Sequence, residues 1–212
     1  MVARALHLVR HGEVHNPDGV IYGRLPSFRL SERGERMAAA TAAHLAGLPV
    51  ARLIASPLLR AQQSAQPIAE GFSLPIETDE RVIESWSRFE GRVSTAAGLI
   101  RGPKDAWRFR NPVQPTWGEP FVDVLARMRP AVLEAIRTTD DEADVVIVSH
   151  QLPIWTVHRS VVGAPLVHDP RRRRCALSSV TSFALRGGRL VETGYEDPAG
   201  AVVAAAVDEG AA

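Results

Sequence analysis

The chain has 212 residues, 45% of them hydrophobic and 23% charged, proportions ordinary for a soluble globular protein with one substantial core. A formal net charge of +1 spreads no excess positive field over the molecule, so composition points to neither a nucleic-acid nor a membrane partner, and any basic site must be local. The single cysteine, Cys175, excludes an intrachain disulfide and a cysteine-rich zinc site; with no apolar run near the ~18 residues of a spanning helix and no leader-like N-terminus, the expected location is cytoplasmic.

The first element is Leu6-His7-Leu8-Val9, a short buried strand that runs into Arg10, His11 and Gly12. Glycine reaches backbone angles closed to other residues, so a sharp turn is expected at Gly12, with Arg10 and His11 at the strand's carboxyl end. In open α/β sheets ligands bind at that end, and an arginine beside a histidine suits an anion, phosphate above all. Val14 to Arg29 carries the turn clusters Asn16-Pro17-Asp18-Gly19 and Pro26-Ser27 and reads as a loop over the same strand end, with Asn16, Tyr22 and Arg24 as candidate ligand contacts. Ser31 is placed to cap a helix that continues through the Ala-rich run Met37 to Leu45 and stops at Gly47 and Pro49. Leu53 to Ser56 is a second strand. Pro57 is expected in the first turn of the helix that follows, through Glu70, which carries Arg60 one turn in, near an N-terminus that favours anions.

Leu74 to Glu77 reads as a third strand, and Arg81-Val82-Ile83-Glu84 leads into a polar and aromatic loop, Ser85 to Gly91. Val93 to Gly118 is an excursion with a short helix near Lys104 to Arg110; its Trp107, Phe109 and Trp117 either line a substrate pocket or pin the excursion to the core. Glu119 to Arg137 has helical apolar spacing, with Pro130 a candidate kink. Asp144 to Ser149 is wholly apolar inside, hence central and parallel, and ends at His150. Pro153 to Val162 reads as a helix, and Ser178 to Leu185 with Arg189 to Thr193 as a hairpin turned by Gly187-Gly188. Arg171 to Arg174 is a solvated charge block or the mouth of a site for polyanions. The Ala-rich tail, 198–212, is left unassigned, so residues 1–197 form the single expected domain.

Arg10-His11-Gly12 after one strand, Arg60 after Ser56-Pro57, Glu84 ahead of Phe89-Glu90-Gly91, and Ser149-His150 after a hydrophobic strand occur in an order that resembles the histidine phosphatase superfamily, the phosphoglycerate mutase-like proteins. The resemblance spans roughly residues 4 to 195. It implies an α/β three-layer sandwich with a mostly parallel sheet and a site at the strands' carboxyl ends. It further implies that His11 is phosphorylated in turnover, that Arg10, Arg60 and His150 clamp the phosphoryl oxygens, that Glu84 is the proton donor and that Asn16 also touches the phosphate. The loop after Glu84 is shorter than the family's commonest arrangement and lacks its glycine before the aromatic, which keeps Glu90 as a second candidate donor. Glu119 matches a family glutamate at a helix start and is read as either a cap or a ligand contact.

The residue types suit that chemistry independently. A neutral imidazole nitrogen attacks phosphorus when its other nitrogen is held by a hydrogen bond, and a turn at Gly12 can supply a backbone carbonyl. Arginine forks and a protonated histidine aimed at the equatorial oxygens stabilise the charge of the transition state. A carboxyl such as Glu84 can protonate the leaving alkoxide near neutral pH if burial or neighbouring phosphate raises its pKa.

The leading expectation is a metal-independent phosphomonoesterase, without cofactor, acting on a small phosphorylated metabolite. The alternatives are mutase-type phosphoryl transfer and non-catalytic binding of a phosphorylated ligand. Mutases of the family resemble longer chains with a larger insertion, whereas 65 residues separate Glu84 from His150 here, which favours hydrolysis. A metal hydrolase is disfavoured because His11 and His15 lie in turn-rich sequence that would not hold them on one helix face. Composition leaves the substrate and any homo-oligomer open.

Overall fold

The computed structural model describes residues 2–95, 117–140 and 142–200; the short helix expected at 104–110, with Trp107 and Phe109, lies outside them. Six strands form one sheet in the order β3-β2-β4-β1-β5-β6. The strands are β1 (Ala5–Arg10), β2 (Val50–Ala55), β3 (Ile76–Thr78), β4 (Asp144–Ser149), β5 (Val180–Arg186) and β6 (Arg189–Glu196). The first four are parallel where they pair, and the hairpin β5-β6 adds to β1 antiparallel. Every residue of β4 is buried, as an apolar strand covered on both faces should be.

Among the described residues four helices supply the cover: α1 (Glu32–Leu45), α2 (Leu59–Phe72), α3 (Phe121–Arg137) and α4 (Gln151–Val161). Alternate β residues split the core in two. Leu6, Leu8, Val145 and Ile147 pack with Val124, Met128 and Val132 of α3 and Ile154 and Val157 of α4, while Val9, Val146 and Val148 pack with Leu45 of α1 and Ala61, Ala65 and Ile68 of α2. Each fully buried Val, Leu or Ile contributes ~1.5–3 kcal/mol, so the period-two pattern of β1 and β4 suffices to fix which side faces which helix pair. The expected α/β three-layer sandwich with a mainly parallel sheet is what forms. No helix among the described residues is long and apolar enough to cross a membrane.

Several expectations change in detail. Gly12 is not needed for a left-handed backbone angle; the glycines with positive φ are others. It is needed for space, because a Cβ there would lie 2.5 Å from the carbonyl oxygen of Gly34, and one on Gly34 would lie 2.0 Å from that of Glu13. The loop after β1 therefore lies directly on the start of α1, which Ser31 caps by accepting from Gly34 N. Pro57 stands ahead of α2 rather than in its first turn: Leu58 is still extended, and Arg60 becomes the second helical residue. The hairpin turn does use two left-handed glycines, Gly187 (φ 57°) and Gly188 (φ 76°), as a two-residue turn demands. Chain order continues into the core beyond residue 197, since Ala199 is fully buried with Met37 and Leu177.

The sheet order places the chemistry. β1 and β4 are parallel neighbours with Arg10 opposite Ser149, so the residues that follow, His11 and His150, leave the sheet side by side. β2 flanks β4 on its other side with Ala55 opposite Val148, which brings Ser56 and the start of α2 to the same place.

Candidate active site

His11 is fully buried, and its Nδ1 lies 2.8 Å from Gly12 O. A carbonyl only accepts, so Nδ1 carries the proton and Nε2 holds the lone pair. Arg60 Nε donates to that Nε2 at 3.3 Å. Burial first, then the charges of Arg60 and Arg10, hold the His11 pKa well below its usual value, so the ring is a neutral nucleophile at neutral pH. The turn is braced from beneath: Gly12 N donates to Ser64 Oγ at 3.0 Å, and Ser64 donates to Arg60 O.

Arg10 and Arg60 are both 0% exposed. Arg10 donates through Nη1 to Cys175 O at 2.7 Å, and Arg60 through Nη2 to Gly23 O at 2.6 Å. Tyr22, also buried, places its ring 4.7 Å from the Arg60 guanidinium and edge-on to His11 at 6.4 Å. A desolvated cation–π contact of this kind is worth about 2 kcal/mol and offsets part of the cost of burying Arg60.

The His150 ring centroid is 5.1 Å from that of His11. Its Nε2 lies 2.7 Å from Ser56 Oγ. The expectation of a protonated His150 does not hold for the protein itself: burial, then Arg60 and His11, push its pKa well below the usual value. A neutral His150 still donates if Ser56 gives its proton to Nε2, because Nδ1 then carries the hydrogen. Ser56 thus holds the ring in place, its hydroxyl donating or accepting according to the tautomer. The sequence shows only its place ahead of Pro57.

Two buried polar atoms of these side chains, Arg60 Nη1 and His150 Nδ1, have no hydrogen-bond partner among the described residues. Buried polar groups are seldom left so; an oxyanion at His11 Nε2 is a fitting partner for the guanidinium, and for His150 in the tautomer whose Nδ1 carries the proton.

Glu84 is 6% exposed, with Oε1 accepting from Ser85 N at 2.7 Å. Burial raises its carboxyl pKa, against the pull of the Ser85 amide and of Arg60, Arg173 and Arg127. The chain on either side is clamped. Arg24 donates to Glu84 O at 2.6 Å and Arg127 to Ile83 O at 2.6 Å and Arg81 O at 2.8 Å, and the buried Glu119 carboxylate binds both arginines. Glu119 is therefore a hub that holds the Glu84 segment, and Pro120 takes the capping position of α3. Arg24, expected among the substrate contacts, faces this hub.

Glu90 is occupied differently: one oxygen, Oε1, accepts from both Arg24 N (3.1 Å) and Ser87 N (2.9 Å). Asn16 binds Val20 in both directions, Nδ2 to O at 2.9 Å and Val20 N to Oδ1 at 3.1 Å, a brace within its own loop. The structure thus gathers His11, Arg10, Arg60, His150, Glu84 and Tyr22, and turns Asn16 and Arg24 to loop and clamp. Among the described residues no group of three or more His, Cys, Asp or Glu is placed to hold a metal ion.

The buried histidines set an acid limit on stability. His7 contacts Ser182 Oγ and an Asp144 carboxylate that also takes both forks of Arg4, yet burial lowers its pKa; His11, His150 and His168 are lowered for the same leading reason. A histidine with a depressed folded pKa is protonated more readily in the unfolded chain. Stability is then complete above the unfolded value of 6.5 and falls below it, by about 1.4 kcal/mol per pH unit for each proton taken up on unfolding. Glu84 and Asp197, with raised pKa values, act in the opposite sense but as two groups against four. The urea midpoint is expected to fall between pH 7 and pH 5, and less steeply in His150→Gln; a flat midpoint would show that these rings titrate alike in both states.

A parallel sheet ending in two histidines, two buried arginines and a buried carboxyl defines a class of phosphoryl-handling α/β proteins. The chain belongs to one such family: a family model for the histidine phosphatase superfamily (branch 1) matches residues 6–198. It is 53% identical over 195 residues to the uncharacterized protein Rv0525 of Mycobacterium tuberculosis, covering 92% of this chain and 96% of that one. It is 31% identical over 180 residues to the glucosyl-3-phosphoglycerate phosphatase of the same species, covering 80% of each. Among solved structures it resembles Bacillus stearothermophilus YhfR with a TM-score of 0.78 at 27% identity, over 89% of this chain and 95% of that one. The native mycobacterial glucosyl-3-phosphoglycerate phosphatase Rv2419c aligns with a TM-score of 0.74 at 27% identity, over 89% and 96%.

Proposed function

We propose that the protein is a phosphomonoesterase that hydrolyses a small phosphorylated metabolite through a phosphohistidine on His11. The observation that carries this reading is a tautomer-fixed, neutral His11 whose Nε2 meets Arg60, a buried guanidinium with Nη1 left without a partner among the described residues, beside the ring of His150. In the first step the His11 Nε2 lone pair forms an N–P bond as the ester P–O bond breaks, and the Glu84 carboxyl gives its proton to the departing alkoxide. In the second, water attacks phosphorus, the Glu84 carboxylate takes the water's proton, the N–P bond breaks and inorganic phosphate leaves. Arg10, Arg60 and His150 bind the equatorial oxygens throughout, where charge builds in the transition state. The glucosyl-3-phosphoglycerate phosphatase relative, matched over 80% of this chain, supports hydrolysis, whereas a 2,3-bisphosphoglycerate-dependent phosphoglycerate mutase is matched over only 36% of it.

The test is phosphate release from a panel of alkyl phosphates and from nitrophenyl phosphate, with no acceptor and no bisphosphate primer present. Release under those conditions is expected. It should persist unchanged in chelator, because the positive charge comes from guanidinium groups. Transfer that requires a primer would select the mutase instead, and activity lost in chelator and restored by a divalent ion would select a metal hydrolase.

A further inference from the structure

Glu90 takes no part in the proposed reaction, yet its carboxyl group fills the place that a side chain on Gly23 would take. A Cβ there would lie 2.3 Å from Glu90 Oε1 and 2.6 Å from its Cδ, and Gly23 has φ 39°, in the left-handed region. Glycine at this turn leaves the carboxyl undisturbed. The backbone ties the two segments together: Gly91 N donates to Ile21 O and Ile21 N to Arg92 O, both at 2.8 Å, and Phe89 is buried beside them in sequence. Glu90 thus reaches the turn from a fixed base.

Glu90 and Arg60 are joined across one peptide group. Arg24 N donates to Glu90 Oε1 at 3.1 Å, and the carbonyl of that same peptide, Gly23 O, accepts from Arg60 Nη2 at 2.6 Å. A trans peptide points its N–H and C=O to opposite sides, so this one cannot rotate without breaking both bonds. Rotated, it would aim its N–H at the Arg60 cation. The carboxylate on the N–H side also polarises the peptide and makes its carbonyl a stronger acceptor for the guanidinium. Ser87 N, donating to the same Oε1 at 2.9 Å, keeps the carboxylate in place. Arg60 therefore has two fixed points, Gly23 O through Nη2 and His11 Nε2 through Nε, and these set the direction of Nη1, which has no partner among the described residues. Burial lowers the Arg60 pKa, and the charge of Glu90 is among those that oppose this.

We infer that Glu90 is a positioning residue: through the peptide between Gly23 and Arg24 it holds the Arg60 guanidinium so that Nη1 meets the phosphoryl group at His11 Nε2. The inference rests on the phosphatase reading for the identity of the anion that Arg60 meets. It gives the Glu90 carboxylate a use distinct from proton donation.

Glu90→Ala is expected to lower kcat/KM by roughly 10–100-fold on alkyl and nitrophenyl phosphates alike, because a misplacement of ~1 Å costs up to ~10²-fold. Affinity for inorganic phosphate, read by calorimetry, should weaken with it. Glu90→Gln can still accept both amides and should lose no more than about fivefold. In an Arg60→Ala background, where the relay has no end, Glu90→Ala should cost less than about twofold more, measured on the nitrophenyl ester. Should Glu90→Ala fail to fold, Glu90→Gln carries the test: loss of the charge should shift the NMR resonances of the Arg24 amide and the Arg60 guanidinium together, and an unmoved guanidinium would overturn the relay. An equal loss with and without Arg60, a loss confined to alkyl esters, or unchanged kcat/KM in Glu90→Ala would overturn the positioning role and leave the phosphatase reading standing. If wild type hydrolysed neither ester while phosphate affinity still depended on Glu90 and Arg60 together, the phosphatase reading would fall and the relay would stand.

Discussion

His11→Ala is expected to lower turnover by about 10³-fold or more on every phosphomonoester, because it removes the group that is to carry the phosphoryl. Stability should change far less. The lost ring leaves Gly12 O without its partner, a cost of about 1–3 kcal/mol, but it also removes a buried base whose depressed pKa weakens the fold in acid. The loss can therefore be read at pH 7.5 on folded protein. Wild type, quenched in alkali within a turnover, should yield a peptide containing His11 with one added phosphoryl group that acid removes. Substantial turnover in His11→Ala, or a phosphoryl group mapped to another side chain, would show that the ring binds substrate without attacking it.

The parts of this arrangement that could be read from the sequence are those that follow from local chemistry. Apolar runs that end in Arg10-His11 and in Ser149-His150 reveal two strand ends, and a parallel sheet must bring the ends of neighbouring strands to one edge. The serine cap of α1, the glycine hairpin and the amphipathic α3 are equally local. What could not be read depends on partners distant in the chain. Gly12 looks like a turn residue in one dimension, whereas its constraint is the backbone of Gly34 pressed against it. Arg24 and Glu119 look like ligand contacts because they are polar and near the motifs, yet they bind one another across 95 residues and support Glu84. Ser56 becomes informative only once β2 lies beside β4 and its hydroxyl meets His150. The tautomer of His11 follows from its contact with Gly12 O and from nothing in the composition.

Glu84→Gln should separate protonation from positioning. A positioned acid contributes ~10²–10⁴-fold when the leaving oxygen is too basic to depart unaided, as in an alkyl phosphate, and little when it is a nitrophenolate. Glutamine keeps the size of Glu84 and its acceptance from Ser85 N while losing the proton, so the clamp of Arg24, Arg127 and Glu119 on the backbone is untouched. The phosphorylation rate, taken from the first turnover, is expected to fall by about 10²–10⁴-fold on alkyl phosphates and by less than about tenfold on the nitrophenyl ester. Burial raises the Glu84 pKa, so in wild type the acid form persists above the usual carboxylate range, and alkyl ester turnover should decline as that proton is lost. Glu84→Gln should lack this decline. Glu90→Gln is the matched comparison: Glu90 Oε1 accepts two backbone amides, and glutamine can still accept them, so any loss should be similar on both esters. If the ester-dependent loss appeared in Glu90→Gln and not in Glu84→Gln, the donor would be the residue six positions on, and the buried carboxyl of Glu84 would be a support for the loop. Equal losses on both esters in Glu84→Gln would mean that it shapes the site and that the leaving group takes its proton from water.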